Sequence, residues 1–182
     1  VIVQKKFRLL EKTIKNICST DPVYYLANPG NWGDALIRHG TKVFFKQKGI
    51  KYSELTLSKD MELMGPEIKQ EGTLIFGGGG AWCNLWNFGY EILTKINGNF
   101  NKIIVLPSTY EGTFSIPNAT FFCRDSYQSK KNMANALFCH DMAFYIGKIS
   151  SLEGLATGNF FRIEAESSKK IEIPTDNIDI SL

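Results

Sequence analysis
Three short stretches of this 182-residue chain combine residue types that could do chemistry. The first is Asn28-Pro29-Gly30-Asn31-Trp32-Gly33-Asp34. Asn28, Pro29, Gly30 and Asn31 are turn residues, and Gly33 lets backbone approach a bound group because it has no Cβ. Asp34 falls where a helix should begin, which makes it a natural N-cap. It is also the carboxylate best placed to face a cleft as an acid or base, and the two roles are compatible. The second stretch is Gly77-Gly78-Gly79-Gly80. Successive N–H groups free of side chains suit a phosphate or carboxylate, although a glycine loop after a strand is often only a tight turn. Neither stretch is a Walker A loop or a GxGxxG fingerprint. The third is Arg124-Asp125. A guanidinium can grip a carboxylate or phosphate through two parallel hydrogen bonds, or it can pair with Asp125 or another carboxylate.

Other candidates are weaker. Trp82, Trp86, Phe88 and Tyr90 could stack on a sugar ring or a base, although such a cluster is more often core. His39 and His140 are isolated, and with Cys18, Cys83, Cys123 and Cys139 they give no metal-ligand spacing. No metal and no cofactor is expected.

The elements that would hold these residues alternate between strand and helix. Apolar spacing at Phe7, Leu10, Ile14 and Ile17 predicts an amphipathic helix over 5–18 that packs on one face. A buried strand over 23–27 leads through the first loop into a helix over 34–48, closed by Gly49. Lys51–Leu57 reads as a second strand, and the polar 58–70 as a short helix broken at Gly65-Pro66. Thr73–Phe76 is a fully buried strand, followed by a helix over 85–96 and a turn at 97–99. A strand over 102–106 ends at Pro107. A short strand over 120–123 leads to a helix over 125–137. Phe160–Glu164 is a last strand or a crossing segment. This alternation predicts an α/β domain with a Rossmann-like parallel sheet flanked by helices. The glycine exits would open on one edge of that sheet, where such sheets bind ligands.

Composition sets limits. Hydrophobic residues make up 43% and charged residues 21%, as in ordinary globular proteins. A net charge of +3 permits an anionic small substrate and does not argue for nucleic acid. The four cysteines lack CxxC spacing and read as free thiols in a reducing compartment. No apolar run is long enough to span a bilayer, and charge interrupts the first residues too often for a signal-peptide core. A cytoplasmic protein is expected.

Taken in order, several pieces resemble the polysaccharide pyruvyl transferase family. They are Gly30-Asn31-Trp32-Gly33-Asp34, the glycine run at 77–80, and Leu106-Pro107-Ser108-Thr109. Arg124-Asp125 with Ser126 or Ser129 follows, then Asp141-Met142-Ala143-Phe144 and Phe160-Phe161-Arg162. Met142 departs from the proline that the family usually has there. The resemblance implies one half of a glycosyltransferase-B-like enzyme, with residues 1–165 as its N-terminal domain. Residues 166–182 would be a tail, or the start of a linker to a C-terminal half. It implies transfer of pyruvate from phosphoenolpyruvate to a sugar of a cell-surface or extracellular polysaccharide, as a ketal. The acceptor would be a sugar or a lipid-linked oligosaccharide, with peripheral membrane association compatible with the latter. By the same resemblance, Asp34 takes an acid/base or acceptor-positioning role and Arg124 holds the donor anion. Gly30, Asn31, Gly33, Gly78 and Gly79 would let both substrates approach. The chain alone is expected to be inactive. The rival expectations are a nucleotide-sugar glycosyltransferase and a non-catalytic sugar-binding or assembly module.

Overall fold
A computed structural model describes residues 5–18, 21–68, 72–146, 172–173 and 175. The expected strand at 160–164, the Phe160-Phe161-Arg162 motif, the domain boundary at 165 and nearly all of the 166–182 tail lie outside them.

Seven strands form one sheet: β1 (Val23–Leu26), β2 (Ser53–Leu57), β3 (Leu63–Met64), β4 (Thr73–Phe76), β5 (Lys102–Ser108), β6 (Ala119–Cys123) and β7 (Leu137–Phe138). Their order is β3-β2-β1-β4-β5-β6-β7. Every pairing is parallel except β2 with β3. The helices are α1 (Arg8–Ile17), α2 (Trp32–Lys48), α3 (Phe88–Ile96) and α4 (Gln128–Asn132), with 3-10 turns at Asn97–Asn99 and Met142–Ile146.

Side chains alternate across the sheet and build two cores. Tyr24, Leu26, Leu74, Phe76, Ile103 and Val105 pack with Ile92, Leu93 and Ile96 of α3. Tyr25, Ile75, Ile104, Leu106 and Phe122 face the other way, onto α1, α2 and Met142. Strands covered on both faces read as continuous apolar runs, and β4 is buried at all four residues. The apolar stripe of α1 packs as expected, with Leu10 and Ile14 buried. Glu11 pairs with Lys15 one turn on in the same helix, and with Lys48 at the end of α2.

Several elements differ from expectation. The helix expected to begin at Asp34 begins at Trp32, and Asn31 is its N-cap. Asp34 sits three residues further on and completes a capping box, accepting from the Asn31 N–H at 3.2 Å. Gly49 closes the helix in the left-handed conformation, as expected of a glycine there. Instead of a helix after Ser58, β3 pairs back on β2. The turn is held by the Ser58 hydroxyl, which accepts from the N–H groups of Asp60 and Glu62. Proline does not end β5, which continues to Ser108. The β5–β6 register shifts between Val105 and Ser108, and at such an irregularity a missing N–H is tolerated. The helix expected over 125–137 is five residues long and gives way to β7. The Asp125 carboxylate takes the N–H groups of Tyr127 and Ser129, a local turn that delays the helix.

No helix among the described residues is long and apolar enough to cross a membrane.

Candidate functional site at the carboxyl edge of the sheet
The strands around β1 set the position of the site. Chain leaving β1 enters α2 on one face of the sheet, and chain leaving β4 leads to α3 on the other. β1 and β4 are neighbours, with Leu26 opposite Phe76. Between strands whose connections depart to opposite faces, a crevice opens beyond the carboxyl ends. Asn28, Asp34 and the glycine run all lie there.

Asp34 is half-buried and held on both oxygens. Asn28 Nδ2 donates to Oδ1 at 3.2 Å, and the Asn31 N–H donates to Oδ2 at 3.2 Å. Burial pushes its carboxyl above the usual range. The hydrogen bonds from Asn28 and Asn31 and the charge of Arg124 work against this rise, and the charge of Asp141 adds to it. A carboxyl raised by burial beside a crevice is a candidate acid or base.

Arg124 follows β6. Its Nε donates to Thr109 Oγ1 at 2.7 Å, and Nη1 donates to Asp141 Oδ2 at 2.7 Å. Asp141 is fixed in turn by the Ala143 N–H, at 2.8 Å from Oδ1. The guanidinium is thus oriented on two sides, and Nη2 has no protein partner among the described residues. The pairing with Asp125 weighed from sequence is not formed. Burial acts to raise the Asp125 carboxyl, but hydrogen bonds from Ser129 and Tyr127 outweigh it and hold the group below its usual range.

The glycines serve packing first. A Cβ on Gly30 would run into the Asp34 carboxylate, one on Gly77 into the Asn28 backbone, and one on Gly78 into the Pro107 carbonyl. Gly79 has φ +124°, and a Cβ there would lie 2.8 Å from Asp34 Oδ1 and 3.3 Å from Asn28 Nδ2. Two N–H groups of the run are already taken, Gly77 by Leu26 O and Gly79 by Pro107 O. The Gly33 N–H is used by Asn31 Oδ1 at 2.8 Å. Gly78 and Gly79 are buried, whereas Gly30 and Gly33 are exposed.

The structure therefore gathers Gly30, Asn31, Gly33, Asp34, Gly78, Gly79 and Arg124 at one edge. It adds Asn28, Thr109 and Asp141, to which the sequence reading gave no role in the site. Asn28 lies two residues past the end of β1 and Asp141 three past the end of β7, and that place beyond a carboxyl end is the signal that could have singled them out. Trp82 is core, in ring contact with Phe76, Tyr110, Phe114 and Phe121. Other aromatics stand exposed: Trp32 at the start of α2 at 70%, Trp86 at 52%, Tyr127 at 87% and Phe144 in the last 3-10 turn at 66%. His39 is exposed on α2. His140 lies against the rings of Phe7, Phe138 and Phe144. Among the described residues no group of three or more His, Cys, Asp or Glu side chains could hold a metal ion. A cleft of about 550 Å³ opens at the opposite, amino edge, lined by Ile14, Cys18, Asp21, Lys48 and Tyr52. It contains none of these groups.

The chain is an α/β protein with a mostly parallel seven-stranded sheet. No family model matches it, and no curated protein does. Among solved structures it is similar to the crystal structure of a functional uncharacterized protein from Klebsiella pneumoniae subsp. pneumoniae NTUH-K2044. The TM-score is 0.74 at 28% identity, over 100% of this chain and 70% of that one.

Proposed function
We propose that this chain is the Rossmann-like part of a polysaccharide pyruvyl transferase with a glycosyltransferase-B-like architecture. The observation that carries the reading is that Asp34 and the glycine exits, at the β1–β4 crevice, share the carboxyl edge with an oriented Arg124 whose charge acts on Asp34. The resemblance in motif order points to the same residues.

In the proposed reaction the methylene of phosphoenolpyruvate takes a proton and C2 becomes electrophilic. One sugar hydroxyl adds to C2 and phosphate leaves. A second hydroxyl closes the ketal, and both hydroxyls give up their protons. Asp34 would supply or accept a proton in this sequence, its raised pKa fitting the task. Arg124, held by Thr109 and Asp141, would present its remaining N–H groups to the donor phosphate or carboxylate.

The exposed Trp32, Trp86, Tyr127 and Phe144 favour a second reading, a module that holds carbohydrate by ring stacking without chemistry. Phosphate release from phosphoenolpyruvate with a galactoside acceptor separates the two, measured on a two-domain protein that contains this chain. Arg124→Lys should lower donor use by about ten- to a hundredfold, since a charge-assisted hydrogen bond is worth about 1.5–3 kcal/mol. An unchanged donor constant removes Arg124 from the site. Carbohydrate binding without any phosphate release selects the second reading.

A further inference from the structure
Asn28 is only 7% exposed. Its Nδ2 donates to Asp34 at 3.2 Å, but its Oδ1 is shielded from solvent and has no hydrogen-bond partner among the described residues. Leaving a buried amide oxygen unpaired is costly. A bound ligand is a poor candidate to satisfy it, because the atom is covered. The Gly77 backbone packs on the Asn28 N–H, and Gly79 closes over the Asn28–Asp34 pair from the other side. The polar group that Asn28 does touch is the Asp34 carboxyl.

A side-chain amide presents a donor on one side and an acceptor on the other. A half-turn about its last torsion exchanges them in almost the same space. Facing a carboxylate, the NH2 group is the right partner. Facing a carboxylic acid, the oxygen is.

We propose that Asn28 is a positioning residue whose amide reverses with the proton of Asp34, donating to the carboxylate and accepting from the acid. The half-buried carboxyl then keeps Asn28 as a partner in both of its states, while the other end of the amide is unpaired in each. The charged groups that act on Asp34 are Arg124, which favours the carboxylate, and Asp141, which disfavours it; burial also favours the acid. Gly79 belongs to the same device, since any side chain there would enter the space in which the amide turns. The use of this pair in proton transfer rests on the pyruvyl-transfer reading. The reversal itself does not.

The test is NMR of the 182-residue chain without substrate, following the Asp34 carboxyl carbon and the Asn28 side-chain amide through an acid titration. As Asp34 protonates, the Asn28 NH2 protons should lose their hydrogen-bonded downfield shift. The Asn28 carbonyl carbon should move downfield, and all three signals should share one midpoint. In Asp34→Asn the amide should hold the reversed state at every pH, and the titration should vanish from its signals. Flat Asn28 signals across the Asp34 midpoint overturn the proposal, and so does a titration that survives in Asp34→Asn. Loss of phosphoenolpyruvate turnover alone would count against the function and leave the reversal standing.

Discussion

At the scale of single residues, the site is built from groups whose surroundings oppose their ordinary chemistry. Asp34 is the clearest case, because burial lifts its carboxyl above the usual range. A carboxyl raised on folding binds its proton more tightly in the folded chain than in the unfolded one. Its ionisation therefore penalises the fold at pH values above the ordinary carboxylate pKa of about 3.9. The penalty is complete once pH exceeds the raised value, and it disappears below about pH 3.9. Asp34→Asn removes it and can keep the bond from the Asn31 N–H. The variant should melt at a higher temperature than the parent at pH 7, with the gap closing as pH falls towards 3. Paired melting curves across that range check the sign, and a gap that is constant with pH rejects it. Asp125 and Glu11 run the other way. For both, folded-state hydrogen bonds win over burial and hold the carboxyl below its usual range. Their contribution is present above the unfolded pKa and is lost as pH falls through the folded value. Acid should therefore weaken the chain through these two groups while Asp34 relieves it.

At the scale of elements, α2 does more than cover the sheet. Its N-terminus frames Asp34, and further along Gly40 lies against the carbonyl of Met142, one residue after the partner of Arg124. Alanine is worth about 1 kcal/mol more than glycine inside a helix, so propensity alone says that Gly40→Ala stabilises. Overlap with the Met142 backbone should outweigh that gain, since overpacking typically costs about 1–3 kcal/mol. Denaturant unfolding of Gly40→Ala should give a lower midpoint with an unchanged slope, and a higher midpoint would show that the 3-10 turn yields freely.

The long elements were legible in sequence because they carry a period or a continuous apolar run. α1, α2, β1, β4, β5 and β6 all fall within a few residues of where the spacing placed them. β3 and β7 were not legible, since two residues make no period and their existence depends on a neighbour already in place. The N-cap could have been read correctly. Asn31 with Asp34 three residues later is the pattern of a capping box, and two good caps in one loop hid which of them was outermost. Arg124 was legible as a group at the sheet edge. Its partner was not, because Asp141 is 17 residues away and only the closing of the sheet brings the two together.

At the scale of the whole molecule, protection should follow the sheet order. β4 and β5 have paired strands on both sides and helices on both faces, while β3 and β7 are two-residue edges. Native-state hydrogen exchange should be slowest at Ile75 and Ile104 and fastest in β3 and β7, with β1 nearer the slow end. Rapid exchange at Ile104 would contradict the placement of β5 at the centre.

The strand order also bears on how the chain comes off the ribosome. Among the described strands β1 is made first, and it lies inside the sheet. β2 and β3 are added outward on one side of it, and β4, β5, β6 and β7 in turn on the other. Each described strand meets one already synthesised, and none of them has to be inserted between two earlier ones. Chains emerge N-terminal end first, at about 5–20 residues per second, so the sheet can grow in step with translation. Asp34 and the glycine run are then in place long before Asp141 appears. Arg124 gains its carboxylate partner only when the outermost described strand has been laid down, so the nascent chain carries an unlatched crevice until then.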